Sequence, residues 1–541
     1  DTDLFWMIAV VTVRDSFIYR VEDTRADFGY ARVHVTLEIP EFGFSIPRLD
    51  SAGGEVSFAG DVNGDGIADI IVGDSYYSLA GASDAGAAFL IFGSEDGLDE
   101  HIDLNALDGT DGARLTYAES DLFLGDTLDS AGDINGDGID DFLIGSFEFI
   151  DFYGPDAGRV FVVFGRQGEA PFGADFDLAS LDGTNGFVIE GFPAEDLGNY
   201  DSAQGVSTLR GVGDINGDGL NDFIVRTDPY GLYFGVTPDF VVFGNSKFEA
   251  ELDLDSLDGT NGFAVETSVI DDVGDVNGDG RVDLLYWLEK EYDPDPDVYF
   301  VAFGPANPEG NAVLTEEQIT SGGGVFITMG AFDSFVIEVI GDVDGDGIED
   351  MAVQSTGFDA ATDYFGATYI VYGVSLNAEG TFNLDVVEGE GVATTAIPHL
   401  VQYNQWSAVS AAGDINGDGI DDFLISETYA DTSSGESTGQ VYLVFGRKGG
   451  WAAEIDLNTL DGMAGYVFVG AKNQDNVGAD LSAAGDINAD GYDDFIIQGG
   501  LHFEDFVVYG GPGGLQWMDA ADGSLDGQIS LDLLYSGDAL F

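Results

Sequence analysis

Ala-Gly-Asp-Ile-Asn-Gly-Asp-Gly-Ile-Asp-Asp-Phe-Leu-Ile-Gly, residues 131–145, is the stretch on which the reading of this chain turns. Asp133, Asn135, Asp137 and Asp141 put side-chain oxygens at positions 1, 3, 5 and 9 of a tight loop. Gly136 and Gly138 lie between them, where a chain folding around an ion needs positive φ and no Cβ. Phe142, Leu143 and Ile144 then form a short apolar run, the pattern of a strand buried on both faces. Hard oxygen donors at alternating positions suit Ca²⁺ far better than a transition metal. The stretch occurs seven times, starting at Asp61, Asp133, Asp214, Asp275, Asp342, Asp414 and Asp486.

Two other readings of the loop compete. An EF-hand also opens D-x-N-x-D-G, but it needs a bidentate Glu at position 12 and helices on both sides. Position 12 here is Val72, Ile144, Val225, Tyr286, Val353, Ile425 or Ile497, each inside an apolar run, so the EF-hand is excluded. A metal-free turn, in which Asp and Asn merely cap the backbone, is the plainer alternative. Sevenfold filling of positions 1, 3, 5 and 9 by Asp or Asn argues against it.

Working outward, each loop is followed by a second apolar run that closes on an aromatic-Gly pair: Phe92-Gly93, Phe164-Gly165, Phe243-Gly244, Phe303-Gly304, Tyr372-Gly373, Phe445-Gly446 and Tyr509-Gly510. Between units Asp-Leu-x-x-Leu-Asp-Gly recurs at Asp103, Asp177, Asp253 and Asp456 and leads into runs such as Gly186-Phe-Val-Ile-Glu190. Four strands are expected per unit: after Leu-Asp-Gly, after the loop, before the aromatic-Gly pair, and at the Asp-Leu segment. Such a unit cannot bury both faces alone; radial stacking can, and roughly 4 to 8 blades make a propeller. Blade one is expected to start at Gly43-Phe-Ser-Ile46, and the tail Ser524-Leu-Asp-Gly-Gln-Ile-Ser530 to add a strand near it. Residues 375–400 lack the Leu-Asp-Gly signal, so an irregular junction is expected between blades five and six.

Composition bounds the function. Lys and Arg number 16 against 101 Asp and Glu, a formal charge of −85, which opposes nucleic acid and anionic membrane as partners. Hydrophobic residues at 44% argue for a folded chain, with an acidic surface suited to a salty medium. Cys is absent, so no disulfide framework exists and calcium is the expected staple. No apolar run is long enough to span a membrane. The chain starts at Asp1 with no signal peptide in view, so a secreted or cell-surface location is an inference from loops and acidity.

Residues 1–40 stand apart from the repeats and 41–541 are assigned to the propeller. Asp15-Ser-Phe-Ile-Tyr-Arg-Val-Glu-Asp23 and Ala31-Arg-Val-His-Val-Thr-Leu-Glu-Ile39 read as a β-hairpin. It resembles the last hairpin of bacterial Ig-like or cadherin-like repeats, which implies a longer surface protein. A plain N-terminal hairpin is the equal alternative.

Loops such as Gly60-Asp-Val-Asn-Gly-Asp-Gly-Ile-Ala-Asp69, paired with runs such as Val162-Val-Phe-Gly165, resemble the FG-GAP repeats of integrin α-subunit propellers and their bacterial relatives, over residues 43–510. The resemblance implies an all-β, seven-bladed β-propeller with up to seven Ca²⁺, held by side chains at positions 1, 3, 5 and 9 and the carbonyl at 7. Blade one would use Asp61, Asn63, Asp65, Ile67 and Asp69; blade two Asp133, Asn135, Asp137, Ile139 and Asp141; blade three Asp214, Asn216, Asp218, Leu220 and Asp222. Blade four would use Asp275, Asn277, Asp279, Arg281 and Asp283; blade five Asp342, Asp344, Asp346, Ile348 and Asp350, one charge more negative. Blade six would use Asp414, Asn416, Asp418, Ile420 and Asp422, and blade seven Asp486, Asn488, Asp490, Tyr492 and Asp494, with Ala489 in place of the usual Gly.

Enzyme chemistry finds no foothold. His34, His101, His399 and His502 are far apart, there is no thiol, and neither a P-loop nor a G-x-S-x-G elbow occurs. Carboxylates are abundant but repeat, whereas an active site is a one-off feature. No catalytic residue is expected. The non-repeating loops at 75–86, 148–158, 226–237, 289–297 and 426–439 carry aromatics, among them Tyr76, Tyr77, Phe149, Tyr153, Tyr230, Tyr233 and Tyr292, and are the expected binding surface. The reading is a monomeric, calcium-stabilised extracellular propeller acting in adhesion or ligand binding, its partner a protein or glycan. A lectin-like propeller and, further off, a polysaccharide hydrolase or lyase are the alternatives.

Overall fold

The structure, a computed structural model, describes residues 17–22, 28–33, 43–46, 55–95, 97–98, 102–146, 158–168, 170–190, 208–226, 238–265, 268–288, 298–304, 310–328, 335–355, 367–373, 380–383, 394–398, 408–451, 454–499, 505–522 and 524–534. The apolar run after each loop becomes the second strand of an antiparallel sheet, and seven such sheets occur. Blade two shows the plan. Leu124–Gly132 pairs with Asp141–Ser146, that strand with Arg159–Val163, and the third with Gly186–Glu190. Runs of four to six residues, largely buried on both faces, occupy the second position because neighbouring blades cover both sides of each sheet.

The expected strand census needs correction at two points. The strand before each loop was not anticipated, yet it is the first of every blade: Val56–Gly60, Leu124–Gly132, Thr208–Gly211, Ser268–Asp272, Phe335–Gly341, Val409–Gly413 and Leu481–Gly485. Its small and polar residues, as in Leu-Ser-Ala-Ala-Gly, hide it from a hydrophobic pattern, and they suit the crowded position where first strands of adjacent blades pack together. The Asp-Leu segment, expected as a strand of its own unit, instead crosses to the preceding blade. Asp175–Asp177 pairs in parallel with Gly112–Thr116 of blade one, and Val313–Leu314, which stands in the same place in blade four without the Asp-Leu motif, pairs with Gly262–Val265 of blade three.

Closure also differs from expectation. Gly43–Ile46 does not start blade one; it pairs antiparallel with Asp505–Val508 and is the fourth strand of blade seven. The tail strand Gln528–Ser530 pairs in parallel with Gly465–Val469 of blade six rather than near blade one. Both fit one pattern, since the segment after the third strand reaches back one blade in blades two, three, four, five and seven, and blade seven lacks a downstream fourth strand of its own. The junction expected to be irregular obeys it too: Gly380–Asn383 pairs with Gly324–Thr328 of blade four, and Thr394–Pro398 completes blade five.

The core is divided among the joints. Seven hydrophobic clusters occur among the described residues, each drawing on two adjacent blades, and one joins Phe44, Ile496 and Val507 of blade seven to Val56, Ile70 and Phe89 of blade one. The ring is therefore closed by apolar packing. Position 10 of every loop, as in Phe142, Phe223, Phe423 and Phe495, is buried there, each phenyl contributing roughly 1.5–3 kcal/mol.

Residues 1–41 with 537–541 form one compact unit and 42–536 the other. In the first, Phe17–Glu22 pairs antiparallel with Phe28–Val33.

Candidate metal centre

Each loop joins the first strand of a blade to the second, and its geometry starts with glycine. Gly136 and Gly138 have φ of 79° and 87°, a left-handed pair that turns successive backbone N–H groups inward. Asp133 meets them: its Oδ1 accepts from the N–H of Gly136 (2.7 Å) and of Asp137 (3.0 Å), and its Oδ2 from that of Gly138 (2.8 Å). The Oδ1 of Asp137 accepts from the Ile139 N–H at 3.1 Å. Loops three and six repeat these bonds through Asp214 and Asp414. In loop seven Ala489 holds φ of 56° where its counterparts are glycine, which is backbone strain for a residue with a Cβ.

Position 9 is the anchor. Asp69, Asp141, Asp222, Asp283, Asp350, Asp422 and Asp494 open the second strands or immediately precede them and are fully buried. In every blade the Oδ1 of this residue accepts from the glycine of the aromatic-Gly pair, at 2.8–3.0 Å. One hydrogen bond thus joins the two motifs that recur along the sequence. The glycine is required by contact: a Cβ on Gly165 would lie 2.2 Å from the Asp140 carbonyl oxygen, and one on Gly446 2.2 Å from that of Asp421. Sequence reasoning recognised the pair and missed its partner, which only the sheet register reveals.

Burial makes position 9 reluctant to ionise. It pushes the carboxyls of Asp69, Asp141, Asp350, Asp422 and Asp494 up to about 8, and those of Asp222 and Asp283 to about 7. The glycine N–H offsets part of this, and the carboxylates at positions 1 and 5 add to it. A bound cation would reverse the balance.

Position 3 sets loop five apart; in loop seven Asn488 accepts from the Asp490 N–H at 2.9 Å. In blades one, two, three, four and six the Asn amide (Asn63, Asn135, Asn216, Asn277, Asn416) donates to the position-9 carboxylate. In blade five position 3 is Asp344, a carboxyl in place of the amide. Its Oδ1 is buried with no hydrogen-bond partner, and carboxylate oxygens of Asp342, Asp344 and Asp350 lie within 4.8 Å of one another. Burial and its neighbours raise the Asp344 carboxyl as well. Three converging carboxylates, one of them with a buried oxygen that has no partner, fit a hard, oxygen-seeking cation such as Ca²⁺. Asp342, Asp344 and Asp350 would hold it, with Asp346 and the Ile348 carbonyl on the same loop.

The non-repeating loops at 75–86 and 426–439 are built alike and spend their backbone on the next blade. The N–H groups of Asp121, Phe123 and Leu124 donate to the carbonyls of Ser83, Asp84 and Ala85, and those of Gln474, Asn476 and Val477 to Glu436, Ser437 and Thr438. Tyr76 and Tyr429, at matching places, are 42% and 41% exposed, whereas Tyr77 packs on Phe89 and its hydroxyl accepts from Arg114. Phe149, Tyr153, Tyr230, Tyr233 and Tyr292 lie outside the described residues, as do all four histidines. A cleft of about 290 Å³ borders loop two, but Arg166 there donates to the carbonyls of Phe164 and Asn185, and Thr184 to Asp182, so its polar groups serve their own turn.

Residues 406–444, which run from just before the first strand of blade six through its loop to the end of its third strand, match the model of the FG-GAP repeat family. No curated protein matches the chain. The other six units repeat the glycine-to-position-9 bond of the matched one.

Proposed function

With the chain placed as an FG-GAP propeller that fits the integrin α-like type, we propose that it is an extracellular, calcium-stabilised module for adhesion or ligand binding. FG-GAP propellers are typically extracellular and non-enzymatic. Among the described residues no helix is long and apolar enough to cross a membrane.

The observation that carries the metal part is Asp344, which has one buried, partnerless oxygen and a carboxylate oxygen within 4.8 Å of those of Asp342 and Asp350. Seven ions would act as staples between the first and second strands, replacing the disulfides a Cys-free chain cannot form. The binding part rests on the fold: a rigid ring carrying loops that differ from blade to blade. A protein or glycan is the proposed ligand, and a formal charge of −85 disfavours nucleic acid.

The test is immobilised protein screened in calcium against glycans and against cell-surface and matrix proteins, with reducing-sugar release followed in parallel. Saturable binding without turnover is expected. Sugar release would make it an enzyme, and no binding to either panel would remove the adhesion reading.

A further inference from the structure

The side chain at position 8 has no part in the proposed ligand set, yet it leaves its own loop. Asp140 of blade two reaches back to blade one and accepts from the N–H of Asp61 at 2.9 Å. Asp421 does the same for Asp342 at 2.9 Å and Asp493 for Asp414 at 2.8 Å; Glu349 accepts from the N–H of Asp275. Every donor is position 1 of the preceding loop, the residue whose carboxylate caps that loop's glycine turn. Main-chain bonds run alongside: the N–H groups of Ala68, Asp140, Asn221, Asp421 and Asp493 donate to the position-1 carbonyl of the loop before, at 3.2–3.5 Å. Those of Ser94, Arg166, Asn245, Arg447 and Gly511 donate to its position-2 carbonyl, at 2.8–3.0 Å. The loops are links of one chain around the ring.

The links are unequal. Between loops three and four position 8 is Val282, which accepts nothing, and Gly304 is followed by Pro305, which has no N–H to donate. Asn221 stands between loops two and three, and Ala68 between seven and one. We propose that the position-8 carboxylates are positioning residues that couple neighbouring loops, so that calcium loads cooperatively in two blocks, blades one–two and blades four–seven, and independently across the joint between blades three and four. The inference rests on the calcium reading above. Its physical content is that an ion closing one loop fixes that loop's positions 7 and 9, hence position 8 between them, hence the backbone of position 1 next door. Such coupling is reciprocal, and values of about 5- to 150-fold are usual for linked sites.

The experiment is a calcium-binding isotherm of the full chain by equilibrium dialysis, for the unmodified protein and for Asp421→Ala, Asp421→Asn and Val282→Asp. Alanine is tolerated at this place, since Ala68 holds it in loop one. The unmodified chain is expected to show a Hill coefficient well above 1. Asp421→Ala lowers it and weakens part of the isotherm by about tenfold, while Asp421→Asn, whose carbonyl still accepts, restores most of the loss. Val282→Asp raises it. Bound calcium with a Hill coefficient of 1, or variants that leave the isotherm unmoved, would overturn the coupling and leave the calcium reading standing. No bound calcium at all would overturn both.

Discussion

Blades five and six carry adjacent copies of one loop, and they differ in chemistry at position 3, Asp344 against Asn416. Asn416 bridges to both oxygens of Asp422, at 3.1 and 3.2 Å, so positions 3 and 9 of loop six are joined without an ion. Asp344 has no amide to offer Asp350 and keeps one oxygen buried and without a hydrogen-bond partner. The same fold of chain is self-sufficient in one blade and incomplete in the next. A metal-free turn, the plain alternative for every loop, describes loop six as it stands and fails for loop five. The difference ranks the loops by how much each gains from a cation.

The broadest way to break the comparison is to remove calcium from all loops at once. A ligand at a hundred times its Kd stabilises by about 2.7 kcal/mol per site, so chelation should lower the melting midpoint by well over ten degrees. Differential scanning calorimetry with and without EGTA measures it. Next in size is Gly446→Ala, whose Cβ would meet the Asp421 carbonyl oxygen at 2.2 Å and break the bond to Asp422. It should cost about 3 kcal/mol by urea denaturation.

Asp344→Asn converts loop five into loop six. In EGTA it should stabilise by about 1–3 kcal/mol, because an amide able to donate to Asp350, as Asn416 donates to Asp422, replaces the carboxyl with the orphaned oxygen, and in calcium the gain should vanish or reverse. A loss of stability in EGTA would show that the difference between the two blades lies elsewhere. The smallest effect is expected from Ala489→Gly, which relieves a φ of 56° and should add about 1 kcal/mol.

Acidity gives an orthogonal handle. The position-9 carboxyls titrate near 7 to 8 when folded, against an ordinary 3.8. Between those values the folded chain holds protons that the unfolded chain has released, so metal-free stability is fullest below about pH 4 and falls as pH rises toward 8. Calcium replaces those protons, and the loaded protein should show a much flatter or opposite trend across that window. Thermal melts at pH 5 and pH 8, each with and without EGTA, give the sign directly.

The fold was legible where chemistry repeats. Loop, apolar run and aromatic-Gly pair recur because each blade needs the same turn, the same doubly buried strand and the same close approach of Gly to position 9. First strands such as Val409–Gly413 and Leu481–Gly485 were illegible because they are rich in Ser, Ala and Gly, which carry no hydrophobic period, whereas the apolar Phe335–Gly341 of blade five was legible and simply not counted. Closure by Gly43–Ile46 and the backward crossing of Asp175–Asp177 were illegible for another reason: partner choice across a gap between blades is a property of register, and a single unit's sequence does not record it. At the candidate centre, alternation marked positions 1, 3, 5 and 9, while position 8 looked like surface charge. Its partner lies 79 residues away in the preceding loop.

The central claim is that loop five is completed by a cation. Crystals grown in calcium and soaked with Tb³⁺ test it most directly, through the anomalous difference map. The account predicts its strongest peak among the carboxylates of Asp342, Asp344 and Asp350, about 2.3–2.6 Å from the liganding oxygens, with further peaks in the Asn-bearing loops. A map with no peak in loop five would contradict it.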